Sequence, residues 1–130
     1  MSAVFEVRNV LGFGFTEEIY QEALETELLE RRISFRPQFE IPIRYKTAVL
    51  NKKFRPDLLV CESIVAELKS VKILLPEHEA QILNYLKASG FPVGYLINFG
   101  NAGKLEWKRY ARTRCDAPPI HREQSPERTQ

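Results

Sequence analysis

Residues 55–70, RPDLLVCESIVAELKS, constrain the fold more than any other stretch of the chain. Two short apolar runs are each interrupted by charge: Asp57 in the first, Glu67 and Lys69 in the second. A charge taken out of water is costly unless it is paired or holds an ion. The break between the runs, Cys61-Glu62-Ser63, has a normal hairpin length, so the runs are predicted to be antiparallel strands. Counting out from that loop, Val60 faces Ile64, Leu59 faces Val65 and Asp57 faces Glu67. Opposed residues on such a pair have Cβ atoms roughly 4.5–5.5 Å apart. Glu67 and Lys69 are two positions apart and share a face. The pattern predicts that Asp57, Glu67 and Lys69 converge on one side of a sheet. A register slip of one residue would undo this.

Two carboxylates held side by side repel each other. Either one keeps a proton, with a raised pKa, or a cation lies between them. A hard divalent ion such as Mg²⁺ suits one or two carboxylates completed by water and phosphate oxygens. Protonated Lys69 is no ligand, but it can position a water or balance charge on a phosphate. The alternative is a cross-strand ion pair of Lys69 with Asp57 or Glu67 on a solvated face. Apolar residues on both faces of these strands argue instead for cover on both sides.

The remainder predicts a mixed α/β domain with helices packed on a sheet. Val4, Val7 and Leu11 give a short helix over 3–11, and Gly12-Phe13-Gly14 breaks it. Thr16 is placed to cap a second helix over 17–32, with Glu17 and Glu18 in its first turn and Arg31 and Arg32 in its last. Alternation over 35–45 predicts a strand, with Pro37 and Pro42 arguing for an edge or a bulge. Residues 46–53 read as a polar connection with a short strand at Val49-Leu50, and 54–60 and 64–69 as the hairpin strands. Pro76 starts a helix that ends at Gly90. His78 reads as a surface residue of its first turn. The nearly continuous apolar run from Val93 to Phe99 predicts a buried strand reached by a crossover, and LEWKRY a last strand.

At 130 residues the chain is long enough for one domain with a real core. A net charge of +2 identifies no polyanionic partner by itself, but Lys104, Lys108, Arg109, Arg112 and Arg114 cluster near the C-terminus. That cluster reads equally as a solvated strand end. Residues 111–130 are almost free of apolar side chains, and a disordered tail is expected there. Cys61 and Cys115 lack metal-ligand spacing and read as plain thiols. No apolar run has the length of a membrane span, and no secretory signal is visible, so a cytoplasmic location is the default expectation.

Arg55-Pro56-Asp57 with Glu67-Leu68-Lys69 resembles the signature of PD-(D/E)XK nucleases. Gln81 through Tyr85 is similar to the QxxxY motif that follows it in RecB-like members. Gly14-Phe15-Thr16-Glu17-Glu18-Ile19-Tyr20 resembles the motif that names the GxxExxY proteins of that superfamily. The resemblance spans about residues 4 to 110. It implies a restriction-endonuclease-like α/β core, with a mixed central sheet flanked by helices, and nuclease activity with Mg²⁺ or Mn²⁺. Asp57, Glu67 and Lys69 would be catalytic, with Gln81 assisting. Glu17, Asp57 and Glu67 would hold the metal. Tyr85, Tyr20 and Arg8 would position substrate, although both tyrosines also read as core aromatics. Many relatives have His where this chain has Arg8, and carry additional residues before the first helix. The implied partner is nucleic acid, DNA more than RNA, with a homodimer or another protein supplying further grip. The alternative is a nucleic-acid-binding or regulatory module that retains the fold without useful catalysis.

Overall fold

The computed structural model describes residues 1–111. The expected tail lies outside the described residues apart from Ala111, and Arg112, Arg114 and Cys115 lie wholly outside them. Helices α1 (Ser2–Leu11) and α2 (Glu17–Glu30) come first, followed by strands β1 (Phe35–Pro37), β2 (Ile41–Tyr45), β3 (Ala48–Phe54), β4 (Leu58–Val60) and β5 (Ile64–Lys69). Helix α3 (Pro76–Ser89) then crosses to β6 (Val93–Asn98), and β7 (Glu106–Ala111) closes the order. Five strands form a central sheet in the order β1-β4-β5-β6-β7, and β2 with β3 forms a separate two-stranded ribbon. Strands β5 and β6 are parallel, as a helical crossover requires, and the other neighbours in the sheet are antiparallel.

Alternation along the strands divides the core into two layers. Leu58, Ala66, Leu68, Ile97 and Phe99 pack beneath α1 and α2, against Val4, Val7, Tyr20, Leu24 and Leu28. Leu59, Val65 and Leu96 face the opposite way, toward Ile82 and Leu86 of α3 and toward Ile41 and Phe54 at the ribbon's base. Each Leu or Ile fully buried in these layers contributes about 1.5–3 kcal/mol relative to exposure. Both faces of β5 are covered, Ala66 and Leu68 in one layer and Val65 in the other, so Glu67 and Lys69 fall on a face that the core otherwise occupies.

Two expected strands divide. The run 35–45 breaks at Gln38, which adopts φ 54°, so β1 joins the sheet edge while β2 leaves for the ribbon. Proline is the physical reason, since neither Pro37 nor Pro42 can donate a ladder hydrogen bond. The run 54–60 divides at Arg55-Pro56-Asp57, and residues 48–54, expected as mostly connection, form β3. Helix α2 stops at Glu30, so Arg31 is its C-cap and Arg32 lies beyond it at φ 59°. Thr16 occupies the N-cap without a side-chain capping bond. His78 Nδ1 accepts the Leu75 N–H at the start of α3, a capping role. Among the described residues, no helix is long and apolar enough to cross a membrane.

Candidate active site

The hairpin register is the one read from the loop: Val60 pairs with Ile64, Leu59 with Val65 and Leu58 with Ala66. Cys61 and Glu62 close the turn at φ 54° and 64°, and the Cys61 thiol is free and exposed. The backbone ladder stops at Leu58, one residue short of Asp57. There the side chain takes over: Asp57 Oδ2 accepts the Leu68 N–H at 2.7 Å. A carboxylate thus completes the pairing of the segment that carries Glu67 and Lys69.

Glu67 and Lys69 share parity with Val65 and so point to the face of the sheet covered by α3. Burial, then the Asp57 charge, pushes the Glu67 carboxyl up to about 8, with Lys69 acting in the opposite direction. Burial also raises Asp57, with Glu17 adding to it, while the Leu68 N–H and Lys69 oppose the rise. The two carboxyls therefore destabilise each other's ionised forms. Glu67 Oε2 is buried and has no hydrogen-bond partner. Lys69 is half-buried and forms no salt bridge among the described residues, so the ion-pair alternative is not what the structure adopts.

Glu17 is exposed at the start of α2, yet near enough to raise both carboxyls. Two tethers hold it there. Gln21 Nε2, one turn further along α2, donates to the Asp57 carbonyl at 3.0 Å. Ser70 Oγ donates to the Phe15 carbonyl at 2.6 Å, joining the residue after Lys69 to the loop before α2. Tyr20 secures the same loop from within. It is fully buried, stacks on Phe99 with ring centres 4.4 Å apart, donates its hydroxyl proton to Gly12 O and accepts the Phe15 N–H. A groove of about 730 Å³ opens beside the cluster, its walls including Phe13, Phe15, Glu17, Ser70, Lys72 and Gly100.

The other predicted residues lie farther out. Gln81 donates to the Tyr85 hydroxyl at 3.0 Å, and the Tyr85 ring stacks on Phe54 with centres 3.5 Å apart. Both belong to the helix that covers the Glu67 and Lys69 face, but they bond each other and not the cluster. Arg8 donates to the carbonyls of Asn101 and Ala102, bracing the loop after β6, and its Nη1 is buried without a partner. Among the described residues, no three His, Cys, Asp or Glu side chains form a group that could by itself hold a metal ion.

Sequence reasoning missed the residues that fix the end of β5. Asn98 is completely buried. Its Oδ1 accepts the N–H groups of Val71 and Gly100, and its Nδ2 donates to Val71 O and Glu106 Oε1. A polar side chain inside the apolar run VGYLIN was the available signal. Gln21 carried none beyond its place beside Tyr20.

A model of the PD-(D/E)XK nuclease superfamily matches residues 1–110. The chain belongs to that superfamily. The fold is also similar to that of the solved protein SSO0001, with a TM-score of 0.58 and 22% identity over 73% of this chain and 49% of that one. The chain thus spans about half the length of that structure. A search of curated proteins found no match.

Proposed function

We propose that the chain is a nuclease dependent on Mg²⁺ or Mn²⁺ that hydrolyses phosphodiester bonds, in DNA or in RNA, at Asp57, Glu67 and Lys69. The observation that carries this reading is the buried Glu67 oxygen that has no partner beside a second carboxyl. Superfamily membership explains why such an arrangement persists despite its cost. Two carboxylates with oxygen donors suit a hard divalent ion, so Asp57 and Glu67 would hold it, and Glu17, too distant to form a three-carboxylate group with them, would reach it through water. When bound, the ion would supply Lewis acidity and a more acidic water.

The chain's own residues have the following roles. Asp57 orders the Glu67–Lys69 segment through Leu68 while presenting its second oxygen. Lys69 lowers both carboxyl pKa values and presents an ammonium where charge develops on a phosphate. Gln81 and Tyr85 line the covering helix, and Gln81 orients the lysine or the attacking water. Tyr20 holds the loop that leads into Glu17, and Arg8 braces the loop beyond β6, so both act on substrate position through the backbone. The Gly14, Glu17 and Tyr20 pattern supports placement among the GxxExxY proteins.

The test is cleavage of single- and double-stranded DNA and RNA with Mg²⁺ or Mn²⁺, comparing the natural chain with Lys69→Ala and Asp57→Ala. Loss of cutting in both variants supports the reading; unchanged cutting in both sinks it. Calorimetric titration of Mn²⁺ is a separate check. Binding that survives Asp57→Ala and Glu67→Gln would remove the metal from this site.

A further inference from the structure

Residues 41–55 form the ribbon and its exit into Asp57. They contain five of the chain's nineteen Lys and Arg residues and none of its seventeen Asp and Glu residues. The ribbon enters the core at its base, through Ile41 and Phe54, which pair with each other, with Ile43 partly buried beside them. From Ala48 to Lys53 every residue is exposed, and Tyr45 is 61% exposed. A two-stranded ribbon is marginal in isolation. This one is fixed at its base by the Phe54–Tyr85 stack on α3. It is therefore a projecting arm of one charge sign on a rigid mount, two residues upstream of Asp57.

Composition and placement identify its ligand. Arg55 is paired with Glu40, but Arg44, Lys46, Lys52 and Lys53 form no salt bridge among the described residues. Lys46 turns back over the Tyr45 ring at the tip. Lys53 pairs across the ribbon with Pro42 and so lies on the face opposite the Ile41–Phe54 pair, while Arg44 pairs with Val49 beyond a register shift, toward the exposed end. The major groove of B-form DNA, about 12 Å wide, admits a two-stranded ribbon, whereas the major groove of an A-form RNA helix is deep and narrow. We infer that the β2–β3 ribbon is the arm that grips double-stranded DNA, with Arg44, Lys46, Lys52 and Lys53 on phosphates. This deepens the proposed nuclease reading by assigning it a duplex DNA substrate.

The test uses the full chain carrying Lys69→Ala, without divalent ions, and a 20-base-pair duplex DNA of mixed sequence followed by fluorescence anisotropy over a range of NaCl concentrations. Changing Arg44, Lys46, Lys52 and Lys53 together to Ala should lower the slope of log affinity against log salt by about 3–4, since each phosphate contact contributes about 0.9. Replacing the three lysines by Arg should preserve the slope. An unchanged slope in the alanine variant, or a lost slope in the arginine variant, overturns the inference. So does an equal loss of binding to single-stranded DNA or to duplex RNA of the same sequence. The two readings fail separately. A chain that binds duplex through the ribbon but cuts no nucleic acid keeps the arm and loses the nuclease. A chain that cuts duplex equally well without the four charges loses only the arm.

Discussion

Asp57 Oδ2 accepts the backbone N–H of Leu68 at 2.7 Å, and Leu68 stands between Glu67 and Lys69. One carboxylate is therefore both a member of the charged cluster and the last rung of the β4–β5 ladder. The two roles separate by substitution. Asp57→Asn retains an oxygen for the Leu68 N–H and removes the charge; Asp57→Ala leaves that N–H without its partner. Asp57→Asn should be more stable than Asp57→Ala by about 1–2 kcal/mol in denaturant titration, the cost of an unmet buried donor. Under the proposed function, both should abolish cleavage. Equal stability of the two variants would deny the strand-ordering role.

Glu67 gives the site a pH signature. Its carboxyl rises from an ordinary 4.5 to about 8 in the folded chain, so folding tightens its hold on the proton. The stabilisation is complete below about 4.5 and is lost as pH rises through about 8. Asp57 moves in the same direction. In EDTA, the Tm should therefore fall between pH 5 and pH 9, and Glu67→Gln should flatten most of that fall. Mg²⁺ should raise the Tm more at pH 8.5 than at pH 5.5, because proton and cation compete for the same oxygens. A Tm indifferent to pH in EDTA would contradict the burial of this carboxyl.

The charged hairpin was legible because a three-residue loop and a period of two fix the register by counting alone. Helix α3 was legible from Pro76 at one end and Gly90, at φ 87°, at the other. The ribbon was not. Phe35, Phe39, Ile41, Ile43 and Tyr45 share one parity, and nothing in that alternation says that Gln38 turns the chain from one sheet to another. Lys52 and Lys53 read as connection because an exposed two-stranded arm has no apolar face to reveal it. The tethers of Gln21 and Ser70 were invisible for another reason. Each joins segments more than thirty residues apart, and each donates to a backbone carbonyl that any residue would supply.

Gln81 offers a substitution in which function and stability separate. It is exposed, and its bond to the Tyr85 hydroxyl lies at the surface. Gln81→Ala should change stability by no more than about 0.5 kcal/mol, as expected for exposed positions. Tyr85→Phe removes the same bond and keeps the stack on Phe54. If Gln81 orients the lysine or the water, Gln81→Ala should lower kcat while Tyr85→Phe, which leaves the amide in place, lowers it less. Full activity in Gln81→Ala would remove it from the catalytic set.

Two glycines test whether the end of β5 must be held in place for cutting. A Cβ on Gly100 would lie 2.5 Å from both Val71 N and Val71 O and 2.6 Å from Ser70 C, all backbone atoms that cannot swing aside. A Cβ on Gly94 would meet the far ends of Leu86 and Ile82 at 2.9 and 3.2 Å, which can rotate away. Both Gly100→Ala and Gly94→Ala overfill a packed region, at a cost of about 1–3 kcal/mol, with Gly94→Ala toward the lower end. Their functional effects should diverge. Gly100→Ala pushes on Ser70 and Val71, the two residues after Lys69, and strains the Asn98 bonds that hold them. Gly94→Ala disturbs only the seat of α3 on β6. At a temperature where both variants are fully folded, Gly100→Ala should lose at least tenfold in kcat with KM little changed, and Gly94→Ala should retain most of its activity. Activity retained in Gly100→Ala would mean that the Asn98–Gly100 clamp serves stability alone and that Lys69 tolerates movement of the backbone behind it.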